Sequence, residues 1–148
     1  MNVPTAVPLG PPALLMLTGD LLFASRASHQ SQACGLRFIL QSAAAAKEPF
    51  AAERLGDWLP CPESVVLVVL DVQSRSEWVD KLVPIVRPLF PAARLLAFGP
   101  HVQRGTLERA RQEGFDLVLT RGQFDRELEN FPRFLEGLEV SSKGSTSS

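Results

Sequence analysis

The sequence has no tyrosine, only two cysteines and two histidines, and almost no net charge, its 15 basic residues being offset by 16 acidic ones. A formal charge of -1 creates no field that would hold nucleic acid or an anionic membrane, so neither is expected as a partner. From His101 to Glu136 six arginines are interspersed with seven carboxylates, the pattern of a solvated, salt-laced surface and not of a phosphate-tracking patch. Cys34 and Cys61 lack metal-ligand spacing and read as reduced thiols. No window approaches the ~20 apolar residues of a membrane span. The N-terminus lacks the basic stretch of a signal peptide, and its apolar run Ala13–Leu17 is cut short by Thr18-Gly19-Asp20. A cytoplasmic location is expected.

What the sequence does have is one short, dense apolar run ending on a carboxylate, Val65-Val66-Leu67-Val68-Val69-Leu70-Asp71, preceded by the turn-like Pro60-Cys61-Pro62-Glu63-Ser64. A run that short and rich in β-branched residues reads as a strand buried on both faces, which is a parallel-sheet feature. Asp71 then stands at the carboxyl end of a central strand, the edge where open α/β sheets gather ligands and chemistry. A length of 148 residues, with 45% apolar content, suits one soluble domain.

The other elements follow in order. Residues 1–12 carry four prolines and no charged side chain and read as a flexible leader. Ala13–Leu17 is the first strand, and Asp20 caps a helix that ends at Gly35. That helix places Leu22, Phe23, Ala27, Gln30, Ser31 and Cys34 inward, a polar face that predicts weak packing. Leu36–Leu40 is a strand near an edge, Ala43–Ala46 a loop or helical turn, and Ala51–Trp58 a modest helix. Asp80 caps a helix over Lys81–Phe90 with Pro84 in its first turn; alternatively that helix starts near Ser76 and Pro84 kinks it. Ala93–Phe98 is the fourth strand, Thr106–Glu113 a helix ending at Gly114, and Asp116–Leu119 the fifth strand. The last helix aligns Phe124, Leu128, Phe131, Leu135 and Leu138, with Pro132 splitting or bending it. Residues 13–140 thus read as one three-layer α/β/α domain, and 141–148 as a disordered tail.

With these spacings the chain resembles a response-regulator receiver domain over roughly Ala13 to Leu138, which implies a flavodoxin-like fold with a five-stranded parallel sheet in the order 2-1-3-4-5. In such receivers an acidic pair after the first strand binds Mg²⁺, and an aspartate after the third accepts a phosphoryl group. A Ser or Thr after the fourth strand and a Lys after the fifth contact that group. Counting from the helix-ending glycines puts Thr18 and Gly19 at the acidic pair, Asp71 at the phosphoacceptor, Gly99 at the hydroxyl and Arg121 at the lysine. About Val118 stands where many receivers have an aromatic. The resemblance is therefore to a degenerate pseudo-receiver, with no metal and no cofactor expected.

Each candidate has a plain reading beside the functional one. Asp71 is a residual phosphoacceptor or a cap for the following loop. Asp20, with Thr18 and Gly19, either holds an anion under Arg121 or closes a tight turn. His101 is an acid/base group or a solvated loop residue. The aromatic stripe is core or a partner face, since receivers use the surface of their last two helices and fifth strand for dimers and outputs, rimmed here by Arg109, Arg111, Arg126 and Arg133. The expected function is a stand-alone, non-enzymatic pseudo-receiver that signals through protein contacts. The alternatives are a phosphorylatable single-domain regulator using Asp71, and a small-ligand binder or enzyme at the Asp20/Asp71/His101/Arg121 edge.

Overall fold

Apolar runs too short for helices alternate with amphipathic stretches along the chain, and a computed structural model, which describes residues 12–42, 64–74 and 76–138, shows how they assemble. In chain order the elements are β1 (Ala13–Thr18), α1 (Leu21–Ala33), β2 (Arg37–Ser42), β3 (Val65–Asp71), a 3-10 helix (Ser76–Val79), α2 (Leu82–Leu89), β4 (Arg94–Gly99), α3 (Arg104–Glu113), β5 (Leu117–Thr120) and α4 (Arg121–Glu129). A last helix, α5, covers 131–138. The expectations for the leader, for Ala43–Ala46, Ala51–Trp58 and Cys61, and for the tail lie outside the described residues.

The five strands form one parallel sheet in the order β2-β1-β3-β4-β5, as the resemblance implies. Six of the seven residues of β3 are buried, because the strand is central and covered on both faces. Side chains alternate across a strand, so each run feeds two cores. Leu15, Leu17, Val68, Leu70 and Leu95 pack against Trp78, Leu82, Val86 and Phe90 on one face. Leu14, Met16, Leu67, Val69 and Phe98 pack against Phe23, Phe124, Leu128 and Phe131 on the other. Each such side chain removed from water stabilises the fold by ~1.5–3 kcal/mol before entropy is counted.

Helix ends obey local chemistry. Gly35 and Gly114 take positive φ, +82° and +107°, where a β-carbon would be strained, and they stop α1 and α3. Several expectations need correction. Asp80 does not cap α2: the 3-10 helix first drives Trp78 and Val79 into the core, Lys81 takes the cap position without a side-chain bond, and Asp80 pairs with Arg109 of α3. Leu22 points outward at 84% exposure, because Phe23, Ala24, Ala27 and Ser31 define the inner face of α1. α3 begins at Arg104, two residues before the expected start near Thr106. The C-terminal helix splits next to Pro132 as expected: it breaks at Asn130, and Pro132 lies in the first turn of α5, where its missing N–H has no helical partner to lose. Asp116, expected within the last strand, precedes it and accepts hydrogen bonds from the Leu95 N–H and the Arg87 guanidinium.

Candidate functional site

The carboxyl ends of β1 and β3 lie side by side, with Leu17 opposite Leu70, so the next residues, Thr18 and Asp71, meet. Asp71 is 1% exposed, and a carboxylate that far from water is costly unless hydrogen bonds replace its hydration. Its own chain supplies them. The Thr18 hydroxyl donates to Oδ2 at 2.7 Å, the Ser74 hydroxyl donates to the same oxygen at 3.0 Å, and the Gln73 N–H donates to Oδ1 at 3.0 Å. The network continues outward: the Gly19 N–H donates to Ser74 Oγ at 2.9 Å and the Asp20 N–H to Thr18 Oγ1 at 3.0 Å. These bonds fasten the loop after β1 to the loop after β3.

Gly99 closes β4 beside Asp71. A β-carbon built there would lie 2.4 Å from Val72 Cγ2, and Val72 is fully buried with its N–H bonded to the Phe98 carbonyl. Val72 therefore fills the space a hydroxyl side chain at position 99 would need.

Arg121, the first residue of α4, does not reach for Asp71. It forms an ion pair with Asp20 and lies over the Phe23 ring, 4.8 Å from its centroid. Asp20 also accepts the Phe23 N–H at 3.0 Å, capping α1. That backbone bond, with the Arg121 guanidinium beside it, holds the Asp20 carboxyl below the usual carboxylate range. The anion at the start of α1 is thus the chain's own.

Asp20, Arg121 and the exposed His101 share the lining of an open cleft of about 830 Å³ between α1, the β4–α3 loop and α4. Asp71 is not part of that lining, so of the four edge residues offered as an alternative site, three share the cleft and the fourth is buried outside it. Cys34, at the far end of α1, is half-buried, and burial pushes its thiol up, away from nucleophilic form at neutral pH.

A divalent cation does not fit this donor set. Octahedral Mg²⁺ draws on one or two carboxylates aimed at it plus substrate oxygens. Here Asp71 is engaged by three donors, Asp20 by Phe23 and Arg121, and Thr18 and Gly19 bring no carboxylate. Among the described residues no three His, Cys, Asp or Glu side chains stand close enough to share an ion.

Several structural participants were not singled out from sequence. Ser74 and Val72 act through neighbours that only the sheet order brings close. Thr120 and Gln123 form a reciprocal capping box at the start of α4, and the Thr-x-x-Gln spacing was a readable signal for it.

No family model and no curated protein matches the sequence. Solved structures match the backbone. A response regulator from Thermotoga maritima superposes with a TM-score of 0.59 at 17% identity, over 84% of this chain and 98% of that one. The chain has the receiver fold. The signal receiver domain of a DNA-binding response regulator from Colwellia psychrerythraea matches at TM-score 0.54 and 14% identity, over 84% of this chain and 98% of that one. A response regulator from Burkholderia pseudomallei, solved with a phosphorylated aspartic acid, a calcium ion and citrate, matches at TM-score 0.51 and 17% identity, over 74% of this chain and 59% of that one. At the carboxyl edge of this sheet Asp71 ends β3, Thr18 ends β1 with Gly19 next, Gly99 ends β4, and Arg121 follows β5. Among the described residues no helix is long and apolar enough to cross a membrane.

Proposed function

We propose that this chain is a signalling module on the receiver scaffold in which phosphotransfer at Asp71 is lost or much reduced, and which acts non-enzymatically through contacts with another protein. The observation that carries this reading is the closed hydrogen-bond shell of Asp71. Thr18, where a receiver's metal-binding acid would stand, bonds directly to the carboxylate instead. Phosphoryl transfer depends almost wholly on positioning and charge neutralisation, so a buried carboxylate without a metal seat, and with no cation paired to it among the described residues, loses most of its reactivity. Arg121, the cation at the position where a receiver's lysine would stand, is committed to Asp20.

The contact surface we assign is the face of α3, β5 and the C-terminal helices. Phe124, Leu128 and Phe131 are fully buried and act as core, leaving the half-buried Phe134, Leu135 and Leu138 and the arginines near them as contact groups. Arg109 and Arg111 are spent on Asp80 and Glu108, so Arg126 and Arg133 form the rim that remains. The deciding experiment is incubation with acetyl phosphate and Mg²⁺ followed by intact-mass measurement. We expect no added phosphoryl group. A stoichiometric gain that disappears in Asp71→Asn would overturn the reading in favour of a phosphorylatable regulator.

A further inference from the structure

We propose that the cleft between α1 and α4 is a binding site for a small organic anion with an apolar body. Phe23 lines it, and that ring is held by the buried rings behind it, its centroid 5.0 Å from that of Phe98 and 5.6 Å from that of Phe124. Two ion pairs tie α1 and its cap to α4, Asp20 to Arg121 and Arg26 to Asp125, so the walls are braced before any ligand arrives. Those pairs consume both carboxylates of the lining. Arg126 and His101, which also line it, have no partner among the described residues, leaving an unspent guanidinium and imidazole facing a site without a free acid. That imbalance selects an anionic head group, which a guanidinium binds through charge-assisted hydrogen bonds.

The rim explains the apolar body. Leu22 is 84% exposed in the same lining, and Val102, 75% exposed, lines an adjoining hollow of about 810 Å³ that shares His101 and Thr120 with the cleft. Large side chains left in water in the cleft and in the hollow that adjoins it provide apolar contact area to a bound molecule. A volume of about 830 Å³ falls in the small-molecule range of ~300–1,000 Å³. The site is separate from Asp71, so it stands or falls independently of phosphotransfer, which reads as mass on Asp71 and not as ligand binding.

The test is a two-dimensional ¹⁵N–¹H NMR titration of the full chain with 2-naphthoate and with phenyl phosphate, using 2-naphthamide and acetate as controls. We expect saturable shifts in Phe23–Arg26, at His101 and in Arg121–Arg126 with at least one anionic probe. The preferred probe tells whether a carboxylate or a phosphate head is favoured. Removing the charge (2-naphthamide) or the apolar body (acetate) weakens binding about tenfold or more, as does Arg126→Gln, an exposed substitution whose retained melting temperature shows that the fold is intact. The proposal is overturned if neither anionic probe saturates, if the shifts lie elsewhere, if the amide binds as well as the acid, or if Arg126→Gln binds as tightly as the original chain.

Discussion

Thr18 and Asp71 are 53 positions apart in sequence, and parallel pairing of their strands makes them hydrogen-bond partners. The short polar side chain at position 18 is what allows Asp71 to be buried: its hydroxyl donates to the carboxylate while its oxygen receives the Asp20 N–H. Thr18→Val keeps the shape and removes both bonds. It is expected to lower stability by ~1–3 kcal/mol, because a buried charged acceptor loses a donor, and urea unfolding measures this directly. Gly99 makes a second residue-scale case. Gly99→Ser forces a β-carbon against Val72 Cγ2 and should cost ~1–3 kcal/mol by overpacking. Combined with Val72→Ala, the serine should cost much less than it does alone, and a double-mutant cycle on urea midpoints would show that coupling. Sequence counting located the residue types at these positions. That Val72 occupies the room above Gly99 was invisible, since adjacent strands, not adjacent residues, create that contact.

At the scale of the element, α1 shows how a weakly amphipathic helix is held. Its inner face has one large side chain, Phe23, with Ala24, Ala27 and Ser31, and the Ser31 hydroxyl is satisfied by the Ala27 carbonyl at 2.7 Å. Much of its fixation comes from its ends: Gly35 terminates it, and Asp20 both caps it and pairs with Arg121. The Phe23 N–H and the Arg121 guanidinium depress the folded-state pKa of Asp20 below its ordinary value, so the stability it contributes is present above the ordinary carboxylate range and is lost as pH falls through the lower folded value. Asp20→Asn keeps a capping oxygen and drops the charge. It is expected to cost at most ~1 kcal/mol at neutral pH, the pair being partly exposed, and to remove this residue's share of the acid-limb slope in stability measured against pH. The cap at Asp20 was legible because Thr-Gly-Asp precedes a helical pattern. The sequence places Arg121 where it can close over an anion, and in the structure that anion is Asp20 itself.

At the scale of the whole molecule, two cores lie on opposite faces of one sheet and share its strands, so neither can melt while the other remains packed. Urea unfolding followed by tryptophan fluorescence and by far-ultraviolet circular dichroism should therefore give coincident transitions, and separated midpoints would show that the layers unfold independently. The fold was readable because its signals are local: short β-branched runs give strands, periodic stretches give helices, and Gly35 and Gly114 mark where two helices stop. Strand order came from resemblance to a family and not from pattern, since periodicity records which face a residue takes but not which strand lies beside it. The sequence alone determined the alternation of elements and the placement of Asp71 at a strand's carboxyl end. Only the tertiary structure decided that Thr18, Gln73 and Ser74 close over that carboxylate, that Val72 blocks Gly99, and that the edge's open cleft lies between α1 and α4. The physical reason is that hydrogen bonds, steric exclusion and ion pairing act over a few ångströms, and the distances between residues far apart along the chain exist only once the sheet has brought their strands together.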